Sequence, residues 1–265
     1  MEKNKIYLGD AYELIKQLPD QSVDLIYTDI PYDIEGNGGG GCFGSKKRDY
    51  HKEYYEVCEK KNASDIHTRM AKSSSTIQEI AYGIDWNILE EFCRVLKHIY
   101  IYIWCSKKQL LPLMKYFIEE KGCFFELLLW HKTNPIPAVN NSMLGDTEYC
   151  LMFREKGTSI NNEGSYATKS KYYISGINKE DKENFIHPTC KPVDFIMNHI
   201  KNSTKEGDLI LDPFCGSGST LIAAKRTNRN YIGFEIEEKW FNVACERLQG
   251  INQKGEMNLF DVDYE

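Results

Sequence analysis

Two short segments carry the side chains best placed by type and spacing to do chemistry. Asp29-Ile30-Pro31-Tyr32 sets an acid, a proline-fixed turn and an aromatic in succession, directly after the strand-like run 23–28. Ligands of open α/β sheets bind beyond the carboxyl ends of strands. An acid there can accept a hydrogen bond from a substrate, and an aromatic can stack on it. A strand–turn with an incidental acid is the alternative on these four residues alone. The second segment, Leu211-Asp212-Pro213-Phe214-Cys215-Gly216-Ser217-Gly218-Ser219-Thr220, follows a strand and opens a helix. Its glycines permit positive φ and close backbone approach, as in a nucleotide-binding turn. Glu235 ends the next strand, where an acid can bond ribose hydroxyls. The spacing is G-x-G, without G-x-x-x-x-G-K-[ST], which argues against a phosphate loop and disfavours a dinucleotide. An ordinary tight βα turn is the alternative reading.

These segments need strands to aim them. Strands are expected over 5–8, 23–28, 99–104, 124–130, 148–153, 208–212 and 231–234, from β-branched and aromatic enrichment or continuous apolar runs. Helices are expected over 11–18, 86–96, 109–120, 193–202, 216–227 and 239–248, several stopped by Pro19, Gly122 or Gly250. Strands alternating with helices predict a mostly parallel α/β sheet covered on both faces. Residues 36–80 break the pattern. They are glycine-rich over 36–44, carry Lys46-Lys47-Arg48, and read as a long mobile loop inserted in a single domain spanning 1–265. Residues 155–186 are polar and poorly patterned.

Composition narrows the classes. The chain has 265 residues, 12% of them aromatic, too many for a solvated coil. Its longest apolar runs, near 99–105 and 127–130, fall well short of the roughly 20 residues of a membrane span. No signal peptide is visible at the N-terminus. The nine cysteines contain no C-x-x-C pair, so a disulfide framework or zinc ribbon is not expected, and a reducing, cytoplasmic setting is. No metal site is expected. The net charge of −6 argues weakly against a polyanionic partner, but charge acts locally.

The chain resembles the amino-group DNA methyltransferases, which act on adenine N6 or cytosine N4. Asp29-Ile30-Pro31-Tyr32 is similar to their D-P-P-Y catalytic motif, and Asp212-Pro213-Phe214-Cys215-Gly216-Ser217-Gly218 to their D-P-F-x-G-S-G cofactor motif. His187-Pro188-Thr189-Cys190-Lys191-Pro192 resembles their H-P-T-x-K-P segment. Gly9-Asp10-Ala11 resembles the stretch that touches the cofactor's adenine, and Trp130-His131-Lys132-Thr133-Asn134-Pro135 the W-x-K-x-N-P stretch lining the target-base pocket. The catalytic motif precedes the cofactor motif, as in the β permutation group. The resemblance implies a Rossmann-like, seven-stranded S-adenosylmethionine-dependent methyltransferase fold with circularly permuted motif order. One position departs: Ile30 stands where the family usually has proline. The backbone carbonyl survives that change and Ile30 still precedes a proline, so activity is expected to be retained.

The resemblance also assigns roles. Asp29, Ile30, Pro31 and Tyr32 would be catalytic. Asp10, Ala11, Asp29, Thr189, Lys191, Asp212, Phe214, Gly216, Ser217, Gly218, Thr220 and Glu235 would form the S-adenosylmethionine site, with Thr189 and Lys191 near the methionine carboxylate. Tyr32, Trp130, Lys132 and Asn134 would meet the flipped base, and Lys46, Lys47 and Arg48 the phosphates. Residues 134–186 would form a small target-recognition region. Expected partners are double-stranded or single-stranded DNA, a second copy of the chain, and a cognate restriction endonuclease. Asp29 favours adenine N6, since cytosine-N4 enzymes of the group usually carry serine there. A protein glutamine methyltransferase would carry N-P-P-Y after its glycine motif, and a non-catalytic subunit would not need Asp29, Pro31 and Tyr32 intact.

Overall fold

A computed structural model describes residues 1–32, 83–135, 143–161, 165–176 and 191–250. The loop read at 36–80, with Lys46, Lys47 and Arg48, lies outside them. So do Thr189 and the rest of the 187–190 segment, residues 251–265, and parts of the 134–186 region.

Among the described residues, eight strands form one sheet: β1 (Lys5–Leu8), β2 (Leu25–Asp29), β3 (Tyr100–Cys105), β4 (Phe124–Lys132), β5 (Thr147–Arg154), β6 (Tyr172–Ser175), β7 (Leu209–Asp212) and β8 (Asn230–Glu235). Their spatial order is β1-β8-β7-β2-β3-β5-β4-β6. Among these described strands only the β3–β5 and β4–β5 pairings are antiparallel, so the sheet is mostly parallel, as expected. The α-helices among the described residues are α1 (Ala11–Leu14), α2 (Ile88–Val95), α3 (Lys107–Met114), α4 (Val193–Ser203), α5 (Ser219–Arg226) and α6 (Glu238–Leu248).

The eighth strand is a departure from the expected seven. It is β6, whose Tyr172–Ser175 run pairs with the far edge of β4 through Leu129, Trp130, His131 and Lys132. Its polar neighbourhood hid it, because only Ile174 and the tyrosines carry strand character. The expected helix over 109–120 divides in two. After α3, which contains Pro112, the chain continues over Lys115–Glu120 with π-helical bonding.

Strand β3 is buried at all six positions, as a central strand covered on both faces must be. Two apolar layers flank the sheet. One gathers Ile26, Phe92, Phe117 and Phe153, and the other Tyr27, Trp104, Phe195 and Ile210. Neighbours β2 and β7 lie at the point where the connections diverge: β7 passes through α5 to β8 on one side, while β2 leads toward β3 on the other. At such a switch point the loops beyond the carboxyl ends part and leave a crevice. Asp29 ends β2 and Asp212 ends β7.

Candidate active site

The crevice is built from strand ends. Parallel pairing aligns Leu8 with Glu235, and the N–H of Gly9 donates to the Glu235 carbonyl at 2.8 Å, so the turn after β1 meets the end of β8. Asp10 then caps α1, its Oδ1 accepting from the Tyr12 N–H at 2.9 Å. Ala11 is buried beneath it. Thus Asp10 stands on this rim with one oxygen committed to local structure, while Ala11 can offer little beyond its backbone.

The glycine turn is held from three sides. Asp212 Oδ1 accepts from the Phe214 N–H at 3.2 Å. Gly216 and Gly218 have φ of 49° and 80°, in the left-handed region where a side chain would be strained. Gly218 is the N-cap of α5 and lies so close to α6 that a Cβ there would meet Ala244 Cβ at 3.1 Å. Arg247, from the last turn of α6, donates to the Ser217 carbonyl at 2.6 Å and to its hydroxyl at 2.9 Å. The Ser217 side chain is therefore turned toward Arg247. This buried arginine carried no sequence signal, since a charged residue in a last helical turn usually faces water.

Two carboxyls line the turn. Burial pushes Asp212 up to about 7, with Thr220 beside it pulling the other way. Burial also raises Glu235, whose Oε1 accepts from the Glu237 N–H at 2.8 Å. Phe214 sits edge-on to Tyr12, with ring centroids 6.2 Å apart, between the two rims.

Across the switch point lies the second cluster. Ile30 is 1% exposed and its side chain joins the core, so its backbone alone faces the crevice. Its N–H donates to the Trp104 carbonyl at 3.3 Å. Gln109 Nε2 donates to the Pro31 carbonyl at 2.8 Å. Among the described residues the Ile30 carbonyl is left as the unengaged one of the pair.

Lys191 lies against the acid–proline–tyrosine turn. Its buried ammonium pairs with Asp29 Oδ2, donates to the Tyr32 hydroxyl at 3.2 Å and meets Glu148 Oε2 at 3.0 Å. It lies over the rings of Tyr32 and Trp104, 5.3 Å from each centroid. Two carboxylates and two aromatic faces thus surround this buried cation beside the acid–proline–tyrosine turn. Asp29 Oδ1 is enclosed and has no hydrogen-bond partner among the described residues. Burial raises the Asp29 carboxyl, and Lys191 opposes that rise. Burial would raise Glu148 too, but Lys191 and then Lys132 outweigh it and hold it at about 2.

Trp130 is 2% exposed, donates its indole N–H to Ser175 Oγ at 2.9 Å and meets Trp104 edge-on. Lys132 pairs with Glu148 Oε1, and Asn134 lies near Gly176 at the end of β6. Sequence reasoning missed Glu148 and Gln109. The one available signal for Glu148 was a lone acid heading an otherwise apolar strand.

A family model described as DNA methylase, for N6/N4 methyltransferases, matches residues 23–246. The Type II methyltransferase M2.DpnII of Streptococcus pneumoniae is 27% identical over 95% of this chain and 92% of its own length. The Type II methyltransferase M.HinfI of Haemophilus influenzae is 26% identical over 94% of this chain and 69% of its own. Among solved structures, the M1.HpyAVI–SAM complex has 25% identity and a TM-score of 0.56, covering 92% of this chain and 98% of that one. The cytosine-N4-specific PvuII DNA methyltransferase has a TM-score of 0.61 at 18% identity, over 93% and 86% of the two chains.

Proposed function

The chain belongs to the N6/N4 DNA methylase family, and from that premise we propose that it methylates the exocyclic N6 of an adenine flipped out of DNA, with S-adenosylmethionine as methyl donor. The crevice residues fit this cofactor. A cation with a ribose and an amino-acid tail is matched by buried carboxyls at Asp212 and Glu235, a left-handed glycine turn and the aromatic Phe214. Asp10, Phe214, Gly216, Gly218 and Glu235 would hold it. When bound, it supplies an electrophilic methyl group carried on sulfur.

The single observation that carries the reading is the placement of Asp29. It ends β2 beside β7, so the acid–proline–tyrosine turn and the glycine turn open on one crevice. An exocyclic amino group is a poor nucleophile, because its lone pair is delocalised into the ring. Holding both hydrogens draws the nitrogen toward tetrahedral geometry. The Asp29 carboxylate accepts one hydrogen and the Ile30 carbonyl the other, since the Pro31 carbonyl is already bonded to Gln109. The amino nitrogen must also lose a proton, and the Asp29 carboxyl, raised by burial, is the acceptor at hand. Tyr32, whose hydroxyl stays protonated because burial raises it, stacks on the extruded base. Positioning and fixed charges supply most of the acceleration.

The acid at position 29 favours adenine over cytosine on the family pattern. Among the described residues no helix is long and apolar enough to cross a membrane. The six described cysteines are all free, which goes with a cytoplasmic setting. Duplex DNA is the partner this reading requires. A second copy of the chain and a restriction endonuclease of matching specificity belong to the same reading.

Modification sequencing of host DNA after expression tests it, against an empty vector. N6-methyladenine in one short sequence is the expected result. N4-methylcytosine would keep the mechanism and overturn the base; no modification of either kind would overturn the function.

A further inference from the structure

Lys191 is 5% exposed and faces two carboxylates at once. The second, Glu148, is on β5 and is itself pinned by Lys132 of β4 at its other oxygen. Cross-strand pairing sets Glu148 opposite Trp130, two residues before Lys132 on the same strand, so three strands and the segment before α4 converge here. The result is a row of alternating charge, Lys132–Glu148–Lys191–Asp29, ending at the residue that must engage the substrate. A buried ammonium cannot be left without a counter-ion, because stripping one partner from a buried pair leaves an uncompensated charge. Yet Asp29 must turn at least part of its carboxylate toward the incoming amino group.

We propose that Glu148 is a positioning residue for methyl transfer: it holds Lys191 from the side away from the substrate, so that Asp29 can release the ammonium to meet the target amino group while the charge stays paired. The proposal rests on the methyltransferase reading above. No motif contains Glu148, and nothing places it against substrate or cofactor; it acts through Lys191. Tyr32 completes the device, since its hydroxyl lies 3.4 Å from Glu148 Oε2 and 3.2 Å from Lys191 Nζ. It can follow the ammonium from one acid to the other.

Removing the Glu148 charge leaves Lys191 wholly to Asp29. The pair tightens, Asp29 becomes harder to protonate, and the substrate must compete for it. Other titratable groups face Asp29: Tyr32 on its own turn, Cys105 on β3, Cys150 on β5 and Asp212 on β7. Tyr32 also lies 3.4 Å from Glu148 Oε2, and the Glu148 charge itself raises Asp29, so the titration is read together with the rate rather than alone.

The experiment compares the wild type with Glu148→Gln and Glu148→Asp. It measures single-turnover methylation of DNA across pH, S-adenosylmethionine affinity by calorimetry, and the Asp29 carboxyl titration by carbon-13 NMR in aspartate-labelled protein, with Asp29→Asn to assign the signal. For Glu148→Gln the expected rate falls roughly tenfold or more, cofactor affinity stays within about twofold, and the Asp29 titration moves down by about one pH unit. Glu148→Asp, which keeps the charge, recovers part of the rate. It also carries the test, with a smaller shift in the same direction, if Glu148→Gln does not fold. An unshifted Asp29 titration with wild-type rate in a folded variant overturns the proposal. So does a loss of rate matched by an equal loss of cofactor binding or stability, which is what a merely structural residue would give. If the wild type transfers no methyl group to DNA, the function falls, while the NMR titration still decides whether Glu148 governs Lys191 and Asp29.

Discussion

The side-chain amide of Gln109 donates to the Pro31 carbonyl at 2.8 Å and so ties α3 to the turn that carries Asp29. The same side chain caps its own helix, Oε1 accepting from the Ser106 N–H and hydroxyl at 2.9 Å each. At 1% exposure, Gln109 has no water to fall back on. It fixes which of the two turn carbonyls remains open.

Gln109→Leu should therefore strip the brace without changing the volume much. Leaving buried partners unpaired costs about 1–3 kcal/mol, to be read as a fall in the urea midpoint. The methylation rate should fall with it, while S-adenosylmethionine affinity holds, because Gln109 touches nothing in the glycine turn. Equal losses in rate and cofactor affinity would contradict this division of labour.

Asp29→Ala should abolish transfer and leave cofactor binding nearly intact. Removing one preorganised electrostatic group from a reacting centre typically costs about 10²–10³ in rate. Lys191 keeps Glu148 in this variant, so the fold should survive. Calorimetry with S-adenosylmethionine, beside a methylation assay, separates the two effects. Near-normal turnover would remove Asp29 from the mechanism.

Gly218→Ala attacks the other rim. A left-handed φ of 80° and a contact of 3.1 Å with Ala244 Cβ mean that the added methyl must shift either the turn or α6. Strained backbone of this kind costs on the order of 1–3 kcal/mol. The expected outcome is weaker cofactor binding with a lower melting temperature, and Gly145→Ala, where nothing lies within 4 Å of the added atom, serves as the neutral control.

Much of this arrangement was legible in the chain itself, for physical reasons. The inner strands β2, β3, β7 and β8 announce themselves by their apolar runs, because a strand inside the sheet is buried on both faces. The two turns announce themselves because acid, proline and glycine sit where strands stop. What stayed hidden is long-range pairing of single polar residues. Nothing local distinguishes Gln109 from any helix-capping glutamine or Arg247 from a solvated arginine, and Glu148 offers only its place at the head of an apolar strand. Their roles arise only when β5, α3 and α6 fold against segments far away in sequence. Lys191 shows the same limit from the other direction, since a motif located it but only the fold gave it Asp29 and Glu148 as partners. Strand β6 escaped because its pairing with β4 supplies the order that its own sequence does not.

The pH dependence of stability should carry the mark of Asp212. Burial at the end of β7 lifts its carboxyl from 3.8 to about 7, with the nearby Asp29 charge adding to the rise. The folded state therefore holds a proton that the unfolded chain has given up between those two values. Stability contributed by this group is complete below about pH 4, falls as the pH rises through the window, and levels off above about 7. Glu148, held at about 2, acts in the opposite sense but only at lower pH, below its ordinary value of 4.5. Glu235, also raised by burial, adds to the fall in the same direction as Asp212. Asp212→Asn should remove the Asp212 share, on the order of a few kcal/mol, from the decline between pH 4 and 7. The variant should also keep the turn, since an asparagine oxygen can still accept from the Phe214 N–H. Urea unfolding of both proteins at closely spaced pH values measures the difference. Parallel curves for wild type and variant would mean that Asp212 is already ionised when buried, and that its charge is offset by the turn itself.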